Sequence, residues 1–261
     1  MTLRYIVFLC RKVVEVMLKI KELTKHYKGS NKGINDINIH VEKGDIFAFI
    51  GHNGAGKTTT LKCVTGIHDF EKGEILIDGI NILEDPIGCK RKFAYIPDNP
   101  DLYEYLTGIQ YLNFIADVFQ VPVKEREEKI TRYAKDFEIT DSLGELLSGY
   151  SHGMKQKLAI ISALVHSPML LILDEPFVGL DPKAAVVLKD YMREICAQGG
   201  AVFFSTHVLE VAEKLCNKVA IIKDGKMVVS GDMKDVIGQS ESLESIFMEV
   251  IEDDKADEAS Y

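Results

Sequence analysis

The sequence predicts an α/β protein with a mostly parallel central sheet, and two observations support this fold class. Three short apolar runs, at residues 46–50, 170–173 and 201–205, have the composition of strands buried on both faces. Each run leads into polar or glycine-rich residues and then into a helical pattern, as βα units do. Because such sheets bind ligands at the carboxyl ends of their strands, we expect the functional residues to follow these runs.

The N-terminal part of the chain predicts a second kind of β-structure. Residues 17–27 alternate apolar and polar side chains, and we expect an antiparallel β region there. Residues 1–16 contain a short apolar run interrupted by Arg11 and Lys12, without the cleavage site of a signal peptide. We interpret residues 1–16 as an extension upstream of the domain. A helix lying on a membrane surface is the alternative.

Between residues 98 and 166 the strand pattern gives way to a helical one. Residues 108–119 and 124–137 carry apolar side chains at helical spacing, with charged residues between them. We therefore expect a helical lobe over residues 98–166, inserted into an α/β core made of residues 17–97 and 167–238.

The C-terminal part predicts smaller elements. Residues 219–222 and 227–230 flank Asp224-Gly225, which predicts a short hairpin. Residues 242–251 predict a C-terminal helix that closes the domain. Residues 252–261 are acidic and polar, and we expect them to form a disordered tail.

Composition limits the classes of partner. Lys and Arg total 31 against 40 Asp and Glu, so the formal net charge is -9. Because binding to phosphate backbones requires a basic surface, we expect no nucleic-acid partner. The five cysteines form no C-x-x-C pair, which is typical of reduced thiols in a cytosolic protein. No apolar run approaches the roughly 20 residues of a membrane-spanning helix.

Residues 51–58 read Gly-His-Asn-Gly-Ala-Gly-Lys-Thr, between an apolar run and a helical pattern. This sequence and its strand–loop–helix context predict the P-loop of a nucleoside triphosphatase. Glycines let successive backbone N–H groups point at phosphate oxygens. Lys57 suits the β- and γ-phosphates, and the Thr58 hydroxyl suits Mg²⁺. The fold class is therefore a P-loop NTPase core.

Further candidates for the reaction end the other two apolar runs. Asp174 occupies the position at which P-loop enzymes hold Mg²⁺, and Glu175 can polarise a water that attacks the γ-phosphate. The alternative is that both carboxylates only cap the next element, since Pro176 ends the strand. His207 ends the third run and can donate to the γ-phosphate or orient the water, although a lone histidine is more often a satisfied polar residue or a helix cap.

Residues 150–157 read Tyr-Ser-His-Gly-Met-Lys-Gln-Lys and place small residues at the start of a predicted helix. Free N–H groups at such a helix start can bind an anion. Because the P-loop alone is expected to bind one triphosphate, a second anion-binding segment in the same chain indicates a site that forms between two molecules. An ordinary P-loop kinase or GTPase explains neither this segment nor His207.

With these motifs in order, residues 17–250 resemble the nucleotide-binding subunit of an ATP-binding cassette (ABC) transporter. In that family residues 51–58 are the Walker A loop, residues 170–174 the Walker B strand and Glu175 the catalytic glutamate. Residues 150–154 stand where the family has its signature motif, residues 179–181 match the D-loop, and His207 matches the switch histidine. Tyr27 falls where an aromatic residue stacks on adenine, and packing at a strand edge is the alternative.

The chain departs from the family pattern at three positions. His152 and Met154 replace a glycine and a glutamine of the signature, while Ser151 and Gly153 remain as expected phosphate contacts. His152 either shapes the helix start or makes the phosphate contact weakly pH-dependent. Asp98 replaces the usual glutamine: it either contributes to the Mg²⁺ or water site, or starts the turn at Asn99-Pro100.

The resemblance implies an ATPase with ATP and Mg²⁺ as cofactors, a second copy of the subunit as partner and a separate integral membrane permease. It places the chain at the cytoplasmic face of the membrane and is strongest with two-component bacterial exporters. The permease is expected to dock at residues 102–106. A soluble ABC-type ATPase of DNA maintenance or translation is the alternative. Expected catalytic residues are Lys57, Glu175 and His207; expected metal ligands are Thr58, Asp98 and Asp174; expected nucleotide contacts are Tyr27, Gly51, His52, Asn53, Gly54, Ala55, Gly56, Lys57, Thr58, Thr59, Asp98, Ser151 and Gly153.

Overall fold

The computed structural model describes residues 15–27, 29, 32–238, 240 and 242–258, with side chains described up to Val250. The first 14 residues of the predicted extension lie outside this part of the chain. Val16, the last residue of that extension, already belongs to the first strand. Among the described residues, no helix combines the length and the apolar character that crossing a bilayer requires.

The main sheet is mostly parallel, as predicted. Its strand order is β10-β9-β3-β8-β7-β6, and only β10 pairs antiparallel with its neighbour. The three predicted apolar strands lie side by side in its middle, buried on both faces. The strands are β3 (Ile46–Ile50), β6 (Phe93–Ile96), β7 (Leu170–Asp174), β8 (Ala201–Thr206), β9 (Lys218–Lys223) and β10 (Lys226–Asp232).

An antiparallel sheet covers one face of the main sheet. Its strand order is β2-β1-β4-β5. Successive residues of β3 alternate between two apolar clusters, because side chains of a strand point to opposite faces. Phe47 and Phe49 face the antiparallel sheet, whereas Ile46, Ala48 and Ile50 face helices on the other side. The antiparallel strands are β1 (Val16–His26), β2 (Gly33–Glu42), β4 (Lys72–Ile77) and β5 (Ile80–Asn81).

Helices surround the main sheet and form the lobe between β6 and β7. The Thr107 hydroxyl accepts from the backbone of Gln110 while the Gln110 side chain accepts from Thr107, a capping box that starts the lobe's first helix. An ion pair of 2.7 Å from Arg132 to Glu194 ties the lobe to the core. The core helices up to β6 are α1 (Lys57–Val64) and α2 (Pro86–Lys92), the lobe helices are α3 (Gly108–Val118), α4 (Val123–Asp136) and α5 (His152–Val165), and the later helices are α6 (Pro182–Ala197), α7 (Leu209–Leu215), α8 (Met233–Ile237) and α9 (Leu243–Glu258).

The last helix corrects one prediction. Helix α9 continues to Glu258, so the expected disorder is wrong for residues 252–258; residues 259–261 lie outside the described part. The first turn of α9 is anchored by Leu243 and Ile246, which are buried. Once a helix is nucleated, each further residue costs little, and the acidic segment includes good helix formers such as Glu and Ala. The polar composition of this segment was therefore not sufficient evidence for disorder.

Candidate active site

The phosphate loop, residues 51–58, joins β3 to α1, and two of its glycines are required by space. A Cβ at Gly51 would lie 2.5 Å from the carbonyl oxygen of Ile222. At Gly56, where φ is 113°, a Cβ would lie 2.6 Å from the Cγ2 atom of Ile34. Both approaches are far inside van der Waals contact. The loop is thus pressed against β2 and β9, and only glycine permits that fit.

The loop borders a cavity of about 330 Å³ that contains most of the predicted nucleotide contacts. Ala55 is fully buried beneath the loop and does not line the cavity. Lys32 and Gly33, at the start of β2, also line it, and no sequence signal pointed to either. The predicted residues that line the cavity are Tyr27, His52, Asn53, Gly54, Gly56, Lys57, Thr58, Thr59, Asp98 and Glu175.

Tyr27 lies at the rim of this cavity. Its hydroxyl is 3.2 Å from the Oγ1 atom of Thr59, and its ring is 38% exposed. The ring of His68 meets it edge-on, with 6.1 Å between the centroids. The ammonium of Lys25 lies over the ring, 6.0 Å from its centroid. Tyr27 is therefore a partly exposed residue that directly follows β1 and lines the cavity.

Asp174 ends β7 with a carboxylate that is only partly satisfied. One oxygen, Oδ1, accepts from the Ser205 hydroxyl, whereas Oδ2 has no hydrogen-bond partner although it is buried. Burial raises the pKa of this carboxyl, and the hydroxyls of Ser205 and Thr58 oppose the rise. A buried carboxylate with a free oxygen, next to a threonine hydroxyl, is the donor set that Mg²⁺ prefers. The residues present therefore fit a magnesium ion.

Asp98 lines the cavity but is exposed, and its Oδ1 atom accepts from the backbone N–H of Asn99 at 2.9 Å. This bond goes to the next residue and not to the N–H two residues on, which an Asx-turn would use. The charge of Asp98 also raises the pKa of Asp174, though less than burial does. Asp98 thus combines a local backbone hydrogen bond with an electrostatic influence on the metal side of the site.

The three predicted catalytic residues meet at the carboxylate of Glu175. One oxygen of Glu175, Oε1, lies 3.3 Å from the ammonium of Lys57, and the other, Oε2, lies 2.9 Å from Nδ1 of His207. The ammonium of Lys57 also donates to the carbonyl oxygen of Gly51 at 2.6 Å. Only 15% of the Glu175 side chain is exposed. These contacts bring together residues that are far apart in the sequence.

The backbone of Glu175 adopts a conformation that the sequence did not predict. Its φ is 49°, in the left-handed region where a residue with a side chain is strained. The N–H of Glu175 donates to the backbone oxygen and to the hydroxyl of Ser205, at 3.2 and 3.1 Å. These two hydrogen bonds from the neighbouring strand hold the strained residue. They turn its side chain toward Lys57 and His207.

The segment predicted as a second phosphate-binding site lies outside this cavity. Ser151 caps α5 by accepting from the N–H of Met154 at 3.3 Å, and it is exposed. Neither Ser151 nor Gly153 lines the cavity of its own chain. His152 lies against the loop before α6, because a Cβ at Gly179 would be 2.6 Å from its ring. This packing supports the interpretation that His152 shapes the helix start.

Comparisons with known proteins agree with this geometry. Residues 34–178 match the family model described as "ABC transporter". The chain is 34% identical to the ABC-type transporter ATP-binding protein EcsA of Bacillus subtilis (strain 168), over 93% of this chain and 99% of that protein. It is also 34% identical to the SkfA peptide export ATP-binding protein SkfE of the same organism, over 81% and 87% of the two chains.

A solved structure described as the ATP-binding subunit of an ABC transporter superposes with a TM-score of 0.86 at 34% identity, covering 90% of this chain and 99% of that one. The matched family region includes the phosphate loop, the serine helix start and the buried carboxylates. The alternative of a soluble ATPase not coupled to transport is not favoured. The chain belongs to the ABC transporter family, as an ATP-binding subunit that hydrolyses ATP.

Proposed function

We propose that two of these subunits close face to face around two ATP molecules. The phosphate loop of one subunit and the Ser151 helix of the other then hold each ATP. One observation carries this proposal: Lys57 and Glu175 line one cavity, with His207 against Glu175, whereas Ser151 and Gly153 lie outside the cavity and contact none of these three side chains among the described residues. A helix start bears positive potential and free N–H groups, which stabilise a phosphate when a second molecule presents them.

Within each site, the proposed roles follow from the contacts of Glu175. Lys57 shares its ammonium between Gly51 and Glu175, and a γ-phosphate competes for the same charge. As Lys57 turns to the phosphate, the Oε1 atom of Glu175 is released to accept a proton from the attacking water. His207 remains against Oε2 and fixes the orientation of the carboxylate.

The proposed magnesium site consists of the free Oδ2 atom of Asp174 and the hydroxyl of Thr58. When bound, Mg²⁺ neutralises charge that develops on the β- and γ-phosphates. Magnesium is commonly held by one or two carboxylates together with the phosphates and water, so this small donor set is sufficient. Tyr27 is proposed to stack on the adenine ring.

We further propose that the chain acts on the cytoplasmic face of the membrane with a separate permease, and that the pair exports its substrate. Support comes from exposed aromatic rings after β6. Tyr103 lies 5.9 Å from Tyr105 and 5.6 Å from Phe114 between ring centroids, and all three are at least 43% exposed. Exposed aromatic clusters are typical of protein interfaces. The similarity to SkfE supports the direction of transport.

The aromatic segment is joined directly to the serine helix start. The N–H of Ser148 donates to the carbonyl oxygen of Glu104 at 3.1 Å, and Leu147 donates to Leu106 at 2.9 Å. Three residues after Ser148 the chain reaches Ser151. A helix of the permease that displaces the aromatic segment would therefore move the second phosphate contact, which couples transport to closure of the dimer.

The test of the dimeric site is Glu175→Gln, which removes the proton acceptor but preserves the side-chain shape. In saturating ATP and Mg²⁺ the variant should accumulate as a dimer with trapped ATP, because closure occurs and hydrolysis does not. Light scattering after size exclusion, together with analysis of bound nucleotide, measures both. Glu210→Gln, on the exposed surface of α7, is the matched control and should behave as the unchanged protein.

A Glu175→Gln protein that stays monomeric in saturating ATP and Mg²⁺ would contradict the shared site. The permease is tested separately by purification from the native membrane in mild detergent. A membrane protein should accompany the chain, and Tyr105→Ala should weaken that association while leaving ATP binding unchanged. Recovery of the chain without any membrane protein would count against the transport role.

A further inference from the structure

Tyr95 in β6 carries a buried hydroxyl that has no hydrogen-bond partner. Its ring packs with the apolar cluster between the two sheets, on the same face as Ile172. An unpartnered polar group in such a place costs free energy, so native proteins generally provide a partner. None of the motifs of the sequence, and none of the roles above, accounts for this hydroxyl.

The register of the sheet places Tyr95 just below the metal side of the site. Tyr95 pairs with Ile172, and Asp174 lies two residues further along the same strand. Residues two apart on a strand point to the same face and are separated by about 7 Å. The Tyr95 ring therefore extends along the face from which Asp174 projects, on the side opposite the β8 strand that contributes Ser205.

Asp174 also carries a buried polar atom without a hydrogen-bond partner. Its Oδ1 atom is satisfied by Ser205 from β8, but its buried Oδ2 atom has no partner. Burial raises the pKa of the Tyr95 phenol, and the carboxylates of Asp174 and Asp98 raise it further. The phenol is thus a neutral donor. One buried donor and one buried acceptor, both unpaired, share one face of neighbouring strands.

We propose that Tyr95 is a positioning residue of the nucleotide site, whose hydroxyl holds the Oδ2 atom of Asp174 through one buried water. Neither atom has a partner at direct hydrogen-bonding distance, and one water between them satisfies both. The charge of Asp98 acts on both groups. With Ser205 on one side and this water on the other, the carboxylate is fixed toward Thr58 before a metal ion arrives. The inference rests on the magnesium site of the proposed function.

The test uses Tyr95→Phe, which keeps the ring and removes only the hydroxyl. Binding of ATP in excess EDTA should stay within about twofold of the unchanged protein. The affinity for Mn²⁺ in the presence of ATP, followed by electron paramagnetic resonance, should fall about threefold to tenfold, the range expected for one hydrogen bond. Tyr133→Phe is the matched control, because that phenol is also buried but lies in the lobe; it should change neither quantity.

A double-mutant cycle separates positioning from packing. In an Asp174→Asn background, Tyr95→Phe should no longer change the affinity for Mn²⁺, because the group it positions has been altered. Unchanged Mn²⁺ affinity in Tyr95→Phe, or an equal loss of ATP affinity with and without metal, would overturn the role of Tyr95. If the unchanged protein with ATP binds no Mn²⁺, the proposed magnesium site itself is wrong, and Tyr95 has nothing to position.

Discussion

In the proposed function the phosphate loop and the Ser151 helix start both offer backbone N–H groups to a phosphate, but they differ in what surrounds them. Around the loop, side chains from distant parts of one chain converge: Lys57 and His207 both contact Glu175. Ser151 caps α5 and is exposed, and the nearby Lys155 is paired with Glu104 of its own lobe. The first region has the carboxylate and the cation that hydrolysis requires, whereas the second offers a helix start and its cap.

This difference teaches where the reaction is controlled. The strand ends are held by a rigid sheet, so Glu175 can be kept in a strained conformation. The helix start belongs to the lobe, which packs on the core through a shared apolar cluster as well as through the Arg132–Glu194 ion pair. In the proposed function a second subunit brings this helix start to the phosphate, so the approach of the two subunits decides whether the second phosphate contact is made.

The largest expected effect comes from separating the two regions onto different chains. In a Glu175→Gln background, Lys57→Ala should abolish trapped ATP. Ser151→Asp should do the same, because aspartate preserves the helix cap but repels the phosphate. An equal mixture of the two variants should recover trapped ATP at about one quarter of the original sites, since half of random dimers are mixed and each has one intact site.

The control for this mixture is Ser148→Asp, which places the same charge at an exposed position three residues earlier. The Ser148→Asp chain should trap ATP normally by itself. Mixed with the Lys57→Ala chain, it should trap no more ATP than the chain without Ser148→Asp does in the same mixture. Mixtures of the Lys57→Ala and Ser151→Asp chains that trap no ATP would show that both residues serve one site within one chain. The comparison between the two regions would then lose its meaning.

The same comparison explains how much of the molecule was predictable. The buried strands 46–50 and 170–173 were predicted because continuous apolar runs with glycine-rich or acidic ends have few other structures. The phosphate loop was predicted because its chemistry demands particular residues at fixed spacing. These signals are local. Each depends on residues that are adjacent in the chain, and the fold class was confirmed.

Features that depend on distant residues were not predictable. The left-handed φ of Glu175 is held by Ser205, which is 30 residues away. Lys32 and Gly33 line the cavity only because the antiparallel sheet folds back over the loop. The unpaired hydroxyl of Tyr95 gains its meaning from a strand pairing with β7. Such contacts follow from the order and pairing of the strands. The sequence pattern predicted the fold class but not that order.

An intermediate effect is expected where the lobe joins the core. The His166 ring stacks on Phe119 with 3.7 Å between centroids. Burial, together with the charge of Lys129, lowers the pKa of His166 to about 4 from an ordinary 6.5. The unfolded chain therefore takes up this proton first as the pH falls. The stabilisation is present above pH 6.5 and is lost as the pH falls toward about 4, up to roughly 3 kcal/mol.

Urea unfolding at a series of pH values measures this loss. His166→Phe keeps a stacked ring without a titrating group, so its stability should decline less than that of the unchanged protein between pH 6.5 and about 4. His40→Phe, at an exposed position, is the control and should follow the unchanged protein. Parallel curves for all three proteins would mean that the protonation of His166 does not lower the free energy of unfolding.

The smallest effect is expected at Asp98, where the chain departs from the family pattern in the cavity beside the phosphate loop. Asp98 is exposed and uses one oxygen for the N–H of Asn99, a bond that the side-chain oxygen of glutamine can also accept. Asp98→Gln should therefore change the ATP turnover rate by no more than about tenfold, a barrier difference of about 1.4 kcal/mol. Asp101→Asn removes an equal charge from an exposed neighbour and should leave turnover unchanged. Complete loss of turnover in Asp98→Gln alone would assign the carboxylate to the metal or the attacking water. Such a loss would mean that Asp98 acts as a ligand, and not only through its charge, which raises the pKa of Asp174. Its hydrogen bond to the N–H of Asn99 would then be incidental to its role.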